Sequence, residues 1–121
     1  MSPVLLIEDD PDIRMLVEMT LRMRGIETLT CAQGKQGLKA LEFNDFSLVI
    51  LDVMMPDMSG YEVLKDIGRR YGEQAPPVAM FSARPADALL RELDGMSVAC
   101  ILPKPFEPDK LADLVESVMR K

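Results

Sequence analysis

The 121-residue sequence has few cysteines, a deficit of basic residues and no long apolar run. Its two cysteines, Cys31 and Cys100, lack metal-site spacing and are too few for a disulfide framework. We therefore interpret both as small buried residues of a protein in the reducing cytosol. Lys and Arg number 14 against 20 Asp and Glu, which gives a net charge of −6. That balance argues against direct nucleic acid binding, because neutralising phosphates requires clustered cations.

The absence of a long apolar run bears on whether the chain can span a membrane. Apolar stretches are strand-sized, far below the roughly 20 residues of a membrane-spanning helix. The chain reaches an apolar strand by residue 3 without a basic lead or cleavage site, which predicts no signal peptide. We expect residues 1–121 to form one domain without an output domain, in the cytoplasm and with no membrane insertion.

Strand-like and helix-like segments alternate five times along the chain. The predicted strands are 3–8, 26–31, 47–51, 78–82 and 98–102, and the predicted helices begin at Pro11, residue 34, about Ser59, Ala86 and Pro108. This alternation predicts an α/β fold: a doubly wound, five-stranded parallel sheet in the flavodoxin-like order 2-1-3-4-5, with five helices on its two faces. In that order Cys31 and Cys100 lie on opposite edges of the sheet.

Acidic residues follow two strands that this order makes neighbours. Glu8-Asp9-Asp10 ends the first strand, and Asp52 ends the apolar run of the third. Ligands of such sheets bind at the carboxyl ends of the strands, at the switch point between strands 1 and 3. Carboxylates gathered there predict a site for a hard cation and a phosphoryl group. Asp10, directly before Pro11, is instead expected to cap the first helix.

Four segments in sequence order carry a resemblance to a known family. They are Glu8-Asp9-Asp10, Asp52-x-x-Met55-Pro56-x-x-x-Gly60, Ser82-Ala83 and Lys104-Pro105-Phe106. Their separations also fit: 43 residues from Asp9 to Asp52, 30 from Asp52 to Ser82 and 22 from Ser82 to Lys104. Over its whole length the chain resembles a response regulator receiver domain of two-component signal transduction, in the CheY-like superfamily.

The resemblance implies a phosphoacceptor function. Asp52 would accept a phosphoryl group from a phosphohistidine of a sensor histidine kinase or histidine phosphotransfer protein, as in a phosphorelay. Ser82 and Lys104 would bind the phosphoryl oxygens, and the Lys104–Pro105 peptide would be cis. The product would alter a surface that binds a downstream protein. The chain would catalyse only its own phosphorylation and dephosphorylation, so it is not expected to be a metabolic enzyme.

The resemblance also implies a metal. Mg²⁺ would be required, with Asp9 and Asp52 as direct ligands. Glu8 would reach it through water, and the backbone carbonyl of Met54 would add an oxygen.

Three positions depart from the family pattern or affect the phosphoryl lifetime. Ile101, three residues before Lys104, stands where many receivers have an aromatic ring that moves inward on activation. Met54, two residues after Asp52, has no acid or amide to orient an attacking water, and the cationic Arg84 could shield a phosphoryl group. We predict slow self-dephosphorylation from these two residues; the alternative is that both point to solvent.

Other functions remain open from the sequence. A receiver fold could act as an interaction module without phosphorylation; the intact set of acids, hydroxyl and lysine argues against this, whereas Ile101 keeps it open. A Mg²⁺-dependent phosphatase of the haloacid dehalogenase type also uses an aspartyl nucleophile, but usually carries a second acid where this chain has Met54. A flavodoxin-like cofactor binder would need a phosphate loop after strand 1, and none is present.

Overall fold

A five-stranded parallel sheet forms the centre of the computed structural model, which describes residues 2–120. The strand order is β2-β1-β3-β4-β5, which confirms the predicted topology. The strands are β1 (Val4–Ile7), β2 (Thr28–Cys31), β3 (Leu48–Asp52), β4 (Val78–Ser82) and β5 (Cys100–Pro103). Cys31 and Cys100 therefore lie in the two edge strands.

Five helices cover the sheet: α1 (Pro11–Arg22), α2 (Gly34–Phe43), α3 (Gly60–Tyr71), α4 (Ala86–Leu93) and α5 (Pro108–Met119). A 3₁₀ turn, Gly72–Gln74, follows α3. Successive strand residues face opposite sides, so the sheet has a core on each face. Residues of α1 and α5 pack on one side, and residues of α2, α3 and α4 pack on the other. Among residues 2–120, no helix has the length and apolar character needed to cross a membrane.

Two helix starts are built as the sequence predicts. The Asp10 carboxylate accepts hydrogen bonds from the N–H groups of Asp12 and Ile13, and Pro11 occupies the first turn of α1. Ser59 caps α3 by accepting from the N–H of Glu62, whose own side chain accepts from the Ser59 N–H. This reciprocal pair fixes where α3 begins, directly after the loop that follows Asp52.

The last strand is displaced from its predicted position. The sequence predicts it at 98–102, but it runs from Cys100 to Pro103. Val98 packs against the core on the α3 side but does not pair in the sheet, so its apolar character reflects burial and not a strand. Pro103 is tolerated in β5 because an edge strand can lack an N–H donor on its outer side. β1 and β2 are also shorter than the predicted strands 3–8 and 26–31.

Candidate functional site

Three carboxylates converge at the carboxyl ends of β1 and β3. Glu8 and Asp52 are buried and Asp9 is half-buried, and one oxygen from each lies within 4.8 Å of the others. They line a cleft of about 310 Å³ together with Ser82, Arg84 and Lys104, among others. We call this the acidic cleft. It lies at the predicted switch point of the sheet.

Gly60 explains how the chain can turn so tightly after Asp52. Its N–H donates to the Val53 carbonyl oxygen at 2.7 Å, which brings the start of α3 against the end of β3. A Cβ at residue 60 would collide with the Asp52 carbonyl oxygen and would lie 2.9 Å from the Val53 Cα. The loop therefore requires glycine here because of close backbone approach.

Arg14 holds the loop that carries the other two acids, a role that sequence reasoning missed. Its Nη1 donates to the backbone carbonyls of Glu8 at 2.9 Å and Asp9 at 3.0 Å. These bonds fix the path of the chain between β1 and α1. Nothing in the local sequence distinguishes Arg14 from a solvated helix cation.

Lys104 joins the two buried acids. Its Nζ donates to Glu8 Oε1 at 2.6 Å and to Asp52 Oδ1 at 3.0 Å, and it lies 4.7 Å from the centre of the Phe81 ring. Its backbone N–H donates to the Ser82 carbonyl at 2.9 Å, and the predicted cis Lys104–Pro105 peptide is present. The ammonium is thus held in place by two carboxylates and an aromatic face.

Burial sets the charges in the cleft. Burial raises the pKa of Glu8 to about 7, although the Lys104 ammonium and the Asp10 N–H oppose the shift. Burial likewise raises the pKa of Asp52, again against the pull of Lys104. For Lys104, burial would lower the pKa, but its bonds to Glu8 and Asp52 outweigh it and raise the pKa. Adding a cation would therefore relieve a real excess of buried negative charge.

Ser82 faces the cleft from the end of β4. It is buried, and its Oγ accepts a hydrogen bond from the Arg84 N–H at 3.0 Å. Ser82 does not cap the next helix, because Pro85 occupies the position before α4. As an acceptor in this contact, the hydroxyl keeps its own hydrogen to donate.

The donor set suits a hard divalent cation. Mg²⁺ prefers oxygen ligands and typically takes one or two carboxylates, keeping several waters. Glu8 already accepts from Lys104 with Oε1 and from the Asp10 N–H with Oε2 at 3.1 Å. Asp9 and the second oxygen of Asp52 are better placed to be direct ligands, which fits an indirect role for Glu8.

Met54 and Ile101, the two residues that depart from the expected pattern, lie in different places. The Met54 side chain lines the cleft but is 71% exposed, so it covers little of the Asp52 carboxylate. Ile101 is partly buried and packs against the core on the α3 side of the sheet.

Asp57 is a further residue whose role sequence reasoning missed. Its carboxylate accepts hydrogen bonds from the N–H groups of Gly34 and Lys35, and so caps α2 from the β3–α3 loop.

Comparisons with known proteins agree with this arrangement. The family model described as the response regulator receiver domain matches residues 4–116. The chain is 34% identical over 98% of its length to the transcriptional activator protein PfeR of Pseudomonas aeruginosa, and 31% identical over 98% to the cell cycle response regulator CtrA of Brucella ovis. It spans only 38% of the first relative and 50% of the second.

A solved structure matches over nearly the full length of both chains. The chemotaxis protein CheY4 of Vibrio cholerae superposes with a TM-score of 0.89 at 30% identity, covering 98% of each chain. This chain therefore belongs to the response regulator receiver domain family of two-component signalling proteins.

Proposed function

We propose that this chain is a phosphoacceptor, taking a phosphoryl group from a phosphohistidine onto Asp52 with Mg²⁺. The observation that carries the proposal is the buried Asp52 carboxylate, which lies between two further acids and the Lys104 ammonium. These 121 residues contain no histidine, so the phosphohistidine donor lies outside them, in a sensor histidine kinase or a histidine phosphotransfer protein. We place this exchange in the cytoplasm.

The chemistry follows from the positions of the side chains. An oxygen of Asp52 attacks phosphorus, the new P–O bond forms as the donor P–N bond breaks, and the electron pair of that bond stays on the imidazole nitrogen. Phosphoryl transfer depends mainly on positioning and on charge stabilisation, with little covalent work for the protein. Ser82 donates its hydroxyl hydrogen to one phosphoryl oxygen, and Lys104 moves from its carboxylate partners to another.

The metal-binding residues would be Asp9 and Asp52, with Glu8 acting through water and Met54 through its backbone carbonyl. Mg²⁺ bound there would offset the negative charge that the phosphoryl oxygens bring to the three carboxylates. Without that offset, burial keeps the pKa values of Glu8 and Asp52 raised, which weakens Asp52 as a nucleophile.

The output is a changed protein-binding surface for a downstream protein. Two charge-assisted hydrogen bonds of about 1.5–3 kcal/mol each could bias a conformational equilibrium by roughly 3–6 kcal/mol. A shift from 1:99 to 99:1 takes about 5.5 kcal/mol. The site could therefore switch the chain nearly completely only if both bonds form in the active state alone. With its net charge of −6, the chain is not proposed to bind nucleic acid directly.

The first experiment is incubation of the purified chain with Mg²⁺ and acetyl phosphate, followed by intact mass measurement. We expect one phosphoryl adduct on the wild type, none on Asp52→Ala, and none after chelation of the metal. Asp45→Ala is the matched control, since Asp45 is an exposed loop acid outside the cleft and should leave the adduct unchanged.

Persistence of the adduct after removal of acetyl phosphate measures its lifetime. Loss within seconds would refute the slow self-dephosphorylation predicted from Met54 and Arg84. An adduct on Asp52→Ala would refute Asp52 as the acceptor. No adduct on the wild type, with Mg²⁺ bound and beryllium fluoride also without effect, would favour an interaction module that acts without phosphorylation.

A further inference from the structure

Arg84 lies at the rim of the acidic cleft but its guanidinium is held elsewhere. It follows Ser82 by two residues and lines the same cleft as Asp52 and Lys104. Its Nη1 donates to Glu92 Oε2 on α4 at 2.6 Å. Tyr61, at the start of α3, donates its hydroxyl to the same Glu92 oxygen at 2.7 Å. We call these three residues, Arg84, Glu92 and Tyr61, the Arg84 network.

The Arg84 network connects three parts of the chain next to the site: the β4–α4 loop, the helix α4 and the first turn of α3. Burial, followed by the negative Glu92 carboxylate, raises the pKa of Tyr61 to about 12, so the phenol stays a donor at neutral pH. The Glu92 carboxylate is thus held in place by two donors and has a defined position when it pairs with Arg84.

We propose that Arg84 is a further phosphoryl-binding residue, which Glu92 holds until Asp52 is phosphorylated. The inference rests on the proposed phosphorylation of Asp52. When the phosphoryl group forms, the Arg84 guanidinium leaves Glu92 and donates to the phosphoryl oxygens. The exchange releases α4 from the β4–α4 loop.

The charges favour this exchange. A phosphoryl group on Asp52 carries more negative charge than the single Glu92 carboxylate and offers several acceptor oxygens to a planar, forked donor. The side chains of Arg84 and Glu92 are 48% and 33% exposed, so water can replace each partner at low cost. Arg84 also starts from a fixed point, because its backbone N–H is bonded to Ser82 Oγ.

The exchange gives α4 a direct link to the phosphorylation state. Ile101 offers no ring to follow Ser82, but Glu92 lies on α4 itself and loses its cation when Arg84 moves. Phosphorylation could therefore change the position of α4 without an aromatic side chain on β5.

The test is the affinity of the full chain for beryllium fluoride with Mg²⁺, since this complex mimics a phosphoryl group on a carboxylate. We expect Arg84→Ala to bind it about fivefold more weakly than wild type, the scale of one partly exposed ionic contact. Glu92→Gln should bind it more tightly, because Arg84 is no longer held back. The double variant should match Arg84→Ala alone, since Glu92 acts only through Arg84. Arg84→Lys should restore part of the affinity.

Arg91→Ala is the matched control. Arg91 is exposed on α4 and makes no ion pair with the described residues 2–120. Its replacement removes the same charge, so the affinity of this variant should equal that of wild type. A nuclear magnetic resonance signal from the Arg84 side-chain Nε–H should shift on adding beryllium fluoride to wild type and to Tyr61→Phe.

The outcomes separate the two proposals. Equal affinities for wild type and Arg84→Ala, or a Glu92→Gln variant that binds more weakly, would overturn the role of Arg84 while leaving Asp52 as the acceptor. A wild-type chain that binds Mg²⁺ but no beryllium fluoride would overturn the proposed function, and this inference with it.

Discussion

Two ionic clusters lie side by side at the same edge of the sheet, and they differ in burial. In the acidic cleft, the side chains of Lys104, Glu8 and Asp52 are 17%, 1% and 7% exposed. In the Arg84 network, Arg84 and Glu92 are 48% and 33% exposed. Lys104 is 96 and 52 residues from its two carboxylate partners, whereas Arg84 is only 8 residues from Glu92. Only the first cluster is largely buried.

The difference separates two functions of ion pairs. A buried pair leaves a large penalty behind when one partner is removed, so Lys104 holds the unphosphorylated cleft in one arrangement until a phosphoryl group offers it a new partner. An exposed pair contributes little to stability and is exchanged readily, so the Arg84 network suits a group that changes partners. The following predictions test this contrast from the largest expected effect to the smallest.

Replacing the buried lysine should have the largest effect. Lys104→Met in metal-free protein at pH 8 should lower the free energy of unfolding by about 3–5 kcal/mol, because Glu8 and Asp52 lose their shared cation. The loss should shrink toward pH 5, where the carboxylates bind protons instead. Urea unfolding measures this loss, with Lys110→Met as the control. The side chains of Lys110 and its partner Glu107 are 75% and 73% exposed, so this substitution should change the free energy of unfolding by less than about 0.5 kcal/mol. A loss below that of the control would refute the contrast.

The pH dependence of stability isolates Glu8. Its pKa is about 7 in the folded chain against a model-peptide value of 4.5, so the folded state binds the proton more tightly. The contribution of Glu8 to the free energy of unfolding is complete below pH 4.5. It falls as the pH rises to 7, by on the order of 3 kcal/mol in metal-free protein. Glu8→Gln should flatten that decline, leaving the part due to Asp52. Parallel profiles for wild type and Glu8→Gln, measured by urea unfolding, would contradict the burial of a charged Glu8.

Two glycines of α3 test how the backbone supports the cleft. Gly60→Ala should cost about 1–3 kcal/mol of unfolding free energy, since a Cβ there collides with the Asp52 carbonyl, and should slow adduct formation on Asp52. Gly68→Ala is the matched control in the same helix, with nothing within 4 Å of an added Cβ. It should stabilise the chain by about 0.5–1 kcal/mol and leave adduct formation unchanged. Similar effects at both positions would show that close approach at Gly60 is unimportant.

Much of the fold follows from the sequence because its signals are local. Apolar strands bounded by Gly and Pro, and helices with caps such as Asp10, define the alternation, and the parallel order follows from it. That order brings Asp9, Asp52, Ser82 and Lys104 to one edge, because all parallel strands end there. The start of β5 was mispredicted at Val98, since apolar character indicates burial and not hydrogen bonding in a sheet.

The contacts that sequence reasoning missed are made by long side chains across loops. Arg14 reaches the Glu8 and Asp9 carbonyls, and Asp57 reaches the start of α2, only because particular loop paths bring them together. The pairing of Arg84 with Glu92 likewise depends on how α4 lies beside the β4–α4 loop. No spacing in the sequence indicates these pairs, and the contact of Lys104 with Glu8 is also one that the spacing does not indicate.

Removing one hydrogen bond from the Arg84 network should have the smallest effect. Tyr61→Phe deletes the hydroxyl that donates to Glu92 and should lower the free energy of unfolding by about 0.5–1 kcal/mol, because water can replace it at a partly exposed carboxylate. Tyr71→Phe, at the other end of α3, is the matched control. The Tyr71 hydroxyl makes no hydrogen bond with the described residues 2–120, so this substitution should leave the free energy of unfolding nearly unchanged. Urea unfolding of both variants decides the point. A loss above about 2 kcal/mol would be the size expected of a buried polar group left unpaired, and the network would then be too rigid for Arg84 to change partners.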